Sequence, residues 1–155
     1  MNNELIIEFC KAVRDSTIKR LKIVPEGYEN WRISENSLSF AEIVKHLIES
    51  DNWTIKKINE PALKSILPEK GSIDDCSREQ FSSLIHELEE WLEKKIKFIR
   101  SLDSEKMESK IYDDRFDNEV SIEWIILRGN LDHEIHHRGQ IAVYLRMLKD
   151  KKQVK

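Results

Sequence analysis

Residues 130–140 read NLDHEIHHRGQ, and this stretch holds three of the five histidines in the 155-residue chain. Apolar residues recur every three or four positions on both sides of it, which is the spacing of an amphipathic α-helix. At about 3.6 residues per turn, residues i and i+4 lie on one face, so His133 and His137 are neighbours. Two such imidazoles can bind a divalent cation such as Zn²⁺, Ni²⁺ or Fe²⁺, but two ligands do not complete a site.

Four amphipathic helices are predicted along the chain, over about residues 3–23, 40–59, 78–102 and 121–150. Ser39 and Ser77 each stand three residues before a Glu or Gln, and this capping-box pattern marks the starts of the second and third helices. The first helix is expected to bury a stripe formed by Leu5, Ile6, Phe9, Ala12, Val13 and Thr17. The pattern therefore indicates an all-α protein.

The composition indicates one domain over residues 1–155. The chain carries 26 Lys and Arg residues against 29 Asp and Glu, so its charge does not favour nucleic-acid binding. Its polar start and the absence of a run of roughly 20 apolar residues predict neither a signal peptide nor a membrane span. Cys10 and Cys76 lack C-x-x-C spacing and are expected to be reduced thiols. We therefore expect a cytoplasmic protein.

A third histidine lies on the predicted inward face of the second helix, which contains Ile43, His46, Leu47, Ser50, Trp53 and Thr54. A lone histidine on such a face is more often a hydrogen-bonded core residue than a metal ligand. Two further inward histidines change this balance, because one cation satisfies imidazoles that would otherwise each need a polar partner. Three nitrogens leave a coordination position open, as in catalytic metal sites.

Residues 133–137 also match H-E-x-x-H, the metalloprotease pattern in which the glutamate is the general base. The usual extensions are missing, since Gln140 and Val143 stand where a glycine and a third histidine would follow. A helical bundle also offers no strand edge to hold a peptide, so a protease is not favoured. Glu134 is a candidate catalytic base or hydrogen-bond acceptor for the metal site, with a surface ion pair to Arg138 as the alternative.

Four polar or aromatic residues are predicted to surround the three histidines. Asn130 and Gln140 project inward one turn before and one turn after the histidine pair. Either can orient an imidazole or a substrate, or can instead form a hydrogen bond to another helix. Ser50 and Trp53 share the inward face of His46 and are predicted to contact the ligands or the substrate.

The motif HEIHHRGQI at residues 133–141, with His46-Leu47 upstream and Trp53 seven residues after His46, resembles the DinB family, including its YfiT-like branch of metal-dependent enzymes. The resemblance covers nearly the whole chain in helix order and length. It implies a four-helix bundle of up-down-down-up topology that is often a homodimer. It also implies Ni²⁺ or Zn²⁺, with Fe²⁺ or Mn²⁺ as alternatives, on three histidines that correspond to His46, His133 and His137.

The resemblance also implies an activity. Members of assigned chemistry are S-transferases and an isomerase that use bacillithiol, mycothiol or glutathione, and the family name does not imply DNA binding. We therefore expect a metal-dependent thiol S-transferase acting on a small-molecule thiol and an electrophilic substrate. A metal-dependent hydrolase and a non-catalytic metal-binding bundle in stress response are the alternatives. The loops at residues 26–38 and 103–120 are expected to frame the pocket, and neither predicts the substrate.

Overall fold

The computed structural model describes residues 3–153, with side chains through residue 151, so the first two and last two residues of the expected domain lie outside it. The expected all-α bundle is confirmed. Its elements are α1 (Asn3–Lys22), α2 (Phe40–Asn59), α3 (Arg78–Ser101), a short α4 (Ser104–Glu108), α5 (Ile122–Trp124) and α6 (Asp132–Gln153). A π-helical segment, Ile125–Leu131, joins α5 to α6, and the three pieces form the fourth bundle helix. Every helix among residues 3–153 is too short or too polar to span a bilayer.

Local hydrogen bonds set the starts of α2 and α3 where the sequence predicts them. The Ser39 hydroxyl accepts from the Glu42 backbone N–H at 3.2 Å, and the Glu42 carboxylate accepts from the Ser39 N–H at 2.7 Å. Ser77 and Gln80 repeat the arrangement at 3.1 and 2.9 Å. Each box satisfies two N–H groups that a helix start otherwise leaves without partners, so both predicted capping boxes are confirmed.

Two buried apolar clusters, one at each end of the bundle, show the direction of every helix. One cluster joins the end of α1, the starts of α2 and α3 and the end of α6, through Ile18, Leu21, Phe40, Ile43, Phe81, Ile85, Ile141 and Leu148. The other joins the opposite ends, through Ile6, Cys10, Ile58, Ile96, Ile99, Ile122 and Ile125. Asn3 agrees with this, since its amide donates to the carbonyl oxygens of Ile99 and Leu102 at the end of α3.

The bundle therefore has the up-down-down-up topology that the resemblance implies. Helices α2 and α3 run in the same direction, and the crossover segment at residues 60–77 returns the chain along the length of the bundle. Segments of this length can cover the distance, because extended chain spans about 3.3 Å per residue and a 20-residue helix is about 30 Å long.

The prediction of a polar loop at residues 103–120 is wrong. After α4 the chain forms a hairpin of β1 (Lys110–Asp113) and β2 (Asn118–Ser121), paired antiparallel with Ile111 opposite Val120. Ile111 and Val120 are half-buried against the apolar cluster, and Asp117 adopts a φ of 48° in the turn. Two short strands give little sequence periodicity, so tertiary packing decides this element.

The predicted inward stripe of α1 is also partly wrong, because the helix is rotated from the expected orientation. Leu5 and Phe9 are 44% and 56% exposed, whereas the buried face contains Ile6, Ile7, Cys10, Val13, Arg14, Thr17, Ile18 and Leu21. The prediction failed because Arg14 lies on the core face, whereas charged residues are normally assigned to the solvent side of a helix.

Candidate metal centre

His46, His133 and His137 meet between α2 and the fourth bundle helix. The Nε2 atom of His133 lies 2.9 Å from Nε2 of His46 and 3.0 Å from Nε2 of His137. One ring nitrogen from each of the three lies within 4.8 Å of the other two. The rings stand nearly perpendicular to one another, at 83° to 87°. The structure thus brings together the three residues that the sequence selects as metal ligands.

The tautomer of His137 is set by its neighbour. Its Nδ1 lies 2.8 Å from the amide oxygen of Gln140. That oxygen can only accept a hydrogen bond, so Nδ1 carries the hydrogen and Nε2 carries a lone pair. On α2, the hydroxyl of Ser50 lies 3.3 Å from Nδ1 of His133. The Gln140 contact therefore leaves Nε2 of His137 with its lone pair toward Nε2 of His133.

The donor set fits a divalent cation. Neutral nitrogens whose lone pairs face each other repel unless a proton or a cation lies between them. Zn–N bonds of about 2.0–2.1 Å place tetrahedral ligand nitrogens roughly 3.3 Å apart. The separations of 2.9 and 3.0 Å are close to that spacing. One ion therefore satisfies all three imidazoles with small adjustments.

All three imidazoles are neutral near pH 7. Burial is the largest cause that lowers the pKa of His46 and of His137 to about 4 and that of His133 to about 3, and a neighbouring histidine contributes to each lowering. At His137 the hydrogen bond to Gln140 and the charge of Glu134 offset part of it. The positive charge of Arg115 also lowers the pKa of His133. Neutral imidazole is the form that binds metals, so the environment keeps the ligands ready at physiological pH.

Of the four residues predicted to surround the histidines, two contact imidazole nitrogens and two do not. Ser50 and Gln140 contact imidazole nitrogens directly, and their roles beside a metal stay predictions. Asn130 instead forms the cross-helix hydrogen bonds that were the alternative for it, donating to Asp51 at 3.0 Å and accepting from Lys95 at 2.9 Å. Trp53 lines the cavity above the site, and its indole N–H donates to the Lys64 carbonyl at 2.8 Å.

Glu134 is 2% exposed, so the alternative of a surface ion pair with Arg138 is wrong. Its two carboxylate oxygens accept from Nε and Nη2 of Arg14 at 2.7 and 2.9 Å, and Nζ of Lys95 lies 3.8 Å away. This carboxylate faces the interior of the bundle, away from the cavity described below. The geometry favours a structural role for Glu134, and the role of general base stays a prediction.

Glu134 belongs to a buried charge cluster of Arg14, Asp51, Lys95 and Glu134, with one member from each bundle helix. Arg14 donates to Asp51 at 2.7 Å, and Lys95 donates to Asp51 at 2.9 Å. Burial disfavours the charge of Arg14, but Asp51 and Glu134 outweigh it and hold the pKa of Arg14 above its ordinary value. The formal charges cancel, so the cluster is paired throughout.

Sequence reasoning missed this cluster, although a signal was present. Arg14 follows Cys10 by four residues, Asp51 follows Leu47 by four and Lys95 follows Leu92 by three, so all three share the face of a buried neighbour. Charges of both signs at core positions of three helices indicate a buried ion-pair network. Asn130 links the cluster to the histidines, because its amide also lies 3.5 Å from the Ser50 hydroxyl.

A cavity of about 290 Å³ opens above the three imidazoles. Its wall is formed by Trp53, by residues 65–68 of the crossover segment and by Arg115 of the hairpin turn, with His136 at the edge. Residues 103–120 were expected to frame the pocket, and Arg115 of this segment does line the cavity. Residues 33 and 36–38 of the other expected loop line a neighbouring cavity that shares Pro68, His136 and His137. The place of the crossover segment in the wall was not predicted from the sequence.

Comparisons with known proteins agree with this architecture. The DinB-like protein YjoA of Bacillus subtilis superposes with a TM-score of 0.68 at 21% identity, covering 94% of this chain and 92% of that one. YfiT of Bacillus subtilis, described as a probable metal-dependent hydrolase with an unusual four-helix bundle topology, superposes with a TM-score of 0.74 at 14% identity, covering 95% and 87%. No curated protein matches the chain. At these sequence identities, the structural matches show the fold alone.

The family is shown by a match along the sequence. The sequence model of the DinB family matches residues 1–151 of this chain. This range includes α1, the crossover segment, the hairpin and all three histidines of the site. Within the described part of that range lie the bundle and the candidate metal centre. Because this match spans nearly all of the 155 residues, the chain belongs to the DinB family.

Proposed function

We propose that the protein is a metal-dependent thiol S-transferase that joins a small-molecule thiol to an electrophilic substrate. The observation that carries the proposal is the convergence of three neutral Nε2 atoms at the floor of an open cavity. Three protein ligands leave a position for an exogenous ligand, which is the arrangement of catalytic rather than structural sites. The metal is a divalent ion, with Ni²⁺ or Zn²⁺ expected and Fe²⁺ or Mn²⁺ as alternatives.

His46, His133 and His137 would hold the ion, and Gln140 would keep the hydrogen of His137 on Nδ1. A divalent cation in this position lowers the pKa of a thiol that coordinates it, and so supplies a thiolate nucleophile at neutral pH. Trp53 and the crossover segment shield the cavity from bulk water and offer apolar surface to an organic electrophile.

A thiol suits this cavity better than water does. The ordinary pKa of a cysteine-type thiol is about 8.5, whereas that of water is about 15.7; metal coordination would lower both, but a thiol needs the smaller shift to lose its proton without a nearby base. The polar side chains of the wall are histidines, the hydroxyls of Ser50 and Ser65, and Arg115. Glu134, the carboxylate next to the ligands in sequence, is bound to Arg14 in the buried charge cluster.

A metal-dependent hydrolase is the second candidate, favoured by the description of YfiT, whose fold the chain shares. The same three imidazoles would serve it, with water in place of the thiol. A metal-binding bundle without turnover in stress response is the third. The homodimer, the cytoplasmic location and the lack of nucleic-acid and membrane partners stay predictions.

Metal content tests the site itself. Protein purified from metal-replete cells should carry close to one equivalent of a divalent metal by mass spectrometry, and His133→Ala should lose most of it. His86→Ala is the matched control, because the His86 side chain is 72% exposed on α3 and remote from the site. Metal-free wild-type protein, or unchanged metal in His133→Ala, would end the proposal.

Turnover separates the three candidates. Metal-loaded protein is mixed with a chloro-arene and a panel of bacillithiol, mycothiol, glutathione and cysteine, and the thioether product is measured. An S-transferase forms the C–S bond of the thioether and breaks the C–Cl bond, releasing chloride and the thiol proton, only with both the thiol and the metal, and His133→Ala abolishes this. A hydrolase instead consumes activated esters or amides at a rate that thiols do not raise. Metal binding without either product supports the bundle without turnover.

A further inference from the structure

Arg115 is a cationic group at the wall of the cavity that the proposed chemistry does not use. It stands in the turn between β1 and β2, two residues after Asp113 at the end of β1. Its guanidinium lies over the indole of Trp53, 4.2 Å from the ring centroid, and its side chain is 24% exposed. The hairpin thus places a positive charge beside the metal ligands.

Three partners hold this guanidinium in position, namely Trp53, Asp113 and the Gly129 carbonyl. Asp113, which is fully buried, accepts from Nε and Nη2 of Arg115 at 3.0 and 2.7 Å, and it also accepts from the Arg115 backbone N–H at 3.0 Å. Nη1 donates to the Gly129 carbonyl of the π-helical segment at 3.0 Å. A guanidinium has five N–H groups, so one on each terminal nitrogen is left for a ligand.

The same turn also holds the part of the wall that the crossover segment forms. The Asp114 carboxylate accepts from the Ser65 hydroxyl at 2.6 Å and from the Ser65 backbone N–H at 3.0 Å, which ties the crossover segment to the hairpin. Leu67 of that segment is 86% exposed beside the cavity mouth. A ligand would therefore lie between the metal ligands, the guanidinium and apolar side chains.

The electrostatics of this cavity favour an anionic ligand. A divalent ion on the three imidazoles adds positive charge, and Arg115 is the charged side chain among the residues that line the wall, with its partner Asp113 buried behind it. Field lines in a cavity with apolar walls are focused, so a negative group there gains more than at the open surface. Guanidinium binds carboxylates more strongly than neutral oxygens, through charge-assisted hydrogen bonds.

We propose that Arg115 is a specificity residue that binds a carboxylate of the same small thiol that reacts at the three-histidine site. The inference rests on the proposed function. Both anchors line one cavity of about 290 Å³, so a single small molecule can engage them together, with its sulfur at the histidines and its carboxylate at Arg115. Trp53 and Arg115 stack, which keeps the guanidinium plane fixed before the ligand arrives.

Thiol binding to protein loaded with Co²⁺ tests the inference without any turnover, because thiolate ligation of Co²⁺ gives a charge-transfer band. The probes are mercaptoacetate, mercaptopropionate and mercaptobutyrate, each compared with its methyl ester. At least one acid should bind wild-type protein about tenfold or more tightly than its ester, the gain expected for a charge-assisted hydrogen bond. In Arg115→Met the preference should fall to about twofold or less, through weaker binding of the acid.

Two further variants and the esters serve as controls. Arg115→Lys keeps the charge without the planar fork and should retain a reduced preference. Arg128→Met removes a nearby arginine that pairs with Asp132 and does not line this cavity, so the preference should stay. An unchanged Kd for the ester in Arg115→Met shows that the site is folded. If Arg115→Met also weakens binding of the ester, Arg115→Lys becomes the deciding variant. An acid preference in Arg115→Lys equal to that of wild type would contradict recognition of the carboxylate by the planar guanidinium.

The outcomes separate this inference from the proposed function. An equal Kd for acids and esters in wild type, or an acid preference that survives Arg115→Met, overturns the role of Arg115 while thiol binding remains. Co²⁺ loading with no thiol band for any probe overturns the proposed function and the inference with it.

Discussion

At the scale of single residues, the metal centre depends on which nitrogen of each imidazole carries the hydrogen. The contact between Nδ1 of His137 and the Gln140 oxygen, at 2.8 Å, leaves Nε2 free to bind a metal. Gln140 also places its amide nitrogen 3.2 Å from Nε2 of His136 at the cavity edge. One side chain therefore orients a ligand and a residue of the cavity wall together.

Replacing Gln140 should weaken metal binding without removing a ligand. In Gln140→Ala the Kd for Zn²⁺, measured by competition with a chelator, should rise about 10- to 100-fold, as is typical when the partner of a metal-bound histidine is lost. Gln140→Glu keeps an acceptor for the Nδ1 hydrogen and should bind Zn²⁺ nearly as well as wild type. An unchanged Kd in Gln140→Ala would show that this contact does not orient His137.

Acid should destabilise the metal-free protein in a window that the three histidines define. Their pKa values are about 4, 3 and 4 in the folded protein, against 6.5 ordinarily. Between about pH 6.5 and 4 the unfolded chain binds more protons, so stability is full above that range and falls as the pH falls through it. For each histidine that stays neutral in the folded protein, the free energy of unfolding should fall by about 2 kcal/mol between pH 7 and pH 5.

Urea unfolding at pH 7 and pH 5, after removal of metal with a chelator, measures this effect. His46→Leu should show a smaller loss of stability on acidification than wild type, because one depressed pKa is gone. His86→Ala should show the same loss as wild type, since its side chain is exposed. Equal stability of the wild type at the two pH values would contradict the burial of neutral imidazoles.

At the scale of elements, the π-helical segment and the hairpin position each other. The Asp132 N–H bonds to the carbonyl of Leu127, five residues earlier, so the helix is widened just before His133. Gly129 in this segment leaves room for the hairpin, because a Cβ built on it would lie 2.5 Å from Nη2 of Arg115. The missing side chain thus lets Arg115 reach the Gly129 carbonyl.

Two glycine-to-alanine changes in the fourth bundle helix should have opposite signs. Gly139→Ala should raise the free energy of unfolding by up to about 1 kcal/mol, since a Cβ there meets nothing within 4 Å and alanine favours helix. Gly129→Ala should lower it by about 1–2 kcal/mol, because the displaced Arg115 leaves the buried Asp113 poorly paired. Urea unfolding of both variants checks this, and a stabilised Gly129→Ala would contradict the close packing.

At the scale of the whole molecule, the buried charge cluster joins all four bundle helices at one level. Arg14 of α1 bonds to Asp51, to Glu134 and to the Leu88 carbonyl of α3 at 2.6 Å. The cluster lies between the two apolar clusters and, through Asn130 and Ser50, leads to His133. Helix register and ligand placement therefore depend on the same contacts.

Removing the central cation should strongly destabilise the fold. Arg14→Met leaves Asp51 and Glu134 to share Lys95, and breaking such a buried network typically costs about 3–5 kcal/mol, measured by urea unfolding. Arg100→Met is the matched control, because Arg100 makes a two-point pair with Glu4 at the surface, and its stability should barely change. Adding Glu134→Gln to Arg14→Met should restore part of the loss, and a stable single variant would contradict the role of the cluster.

Some of this architecture follows from the sequence, because it rests on interactions between near neighbours. The boxes at Ser39 and Ser77 act across three residues, and His133 and His137 are paired by helical spacing alone. The stripe that carries His46 and Trp53 likewise needs only the periodicity of one helix. These local signals predicted the helix starts and the three histidines that meet in the site.

The remainder was decided by tertiary structure, because a charge can be buried only where distant partners neutralise it. Arg14 faces the core by virtue of Asp51 and Glu134, which lie 37 and 120 residues away in the chain. Glu134 turns inward for the same reason, and the sequence had left open whether it faces the metal site or forms a surface ion pair. Arg115 reaches the cavity only because a hairpin with little sequence periodicity packs against Gly129. Helical periodicity therefore determined where the three histidines of the candidate site lie, and pairing across the bundle determined what surrounds them.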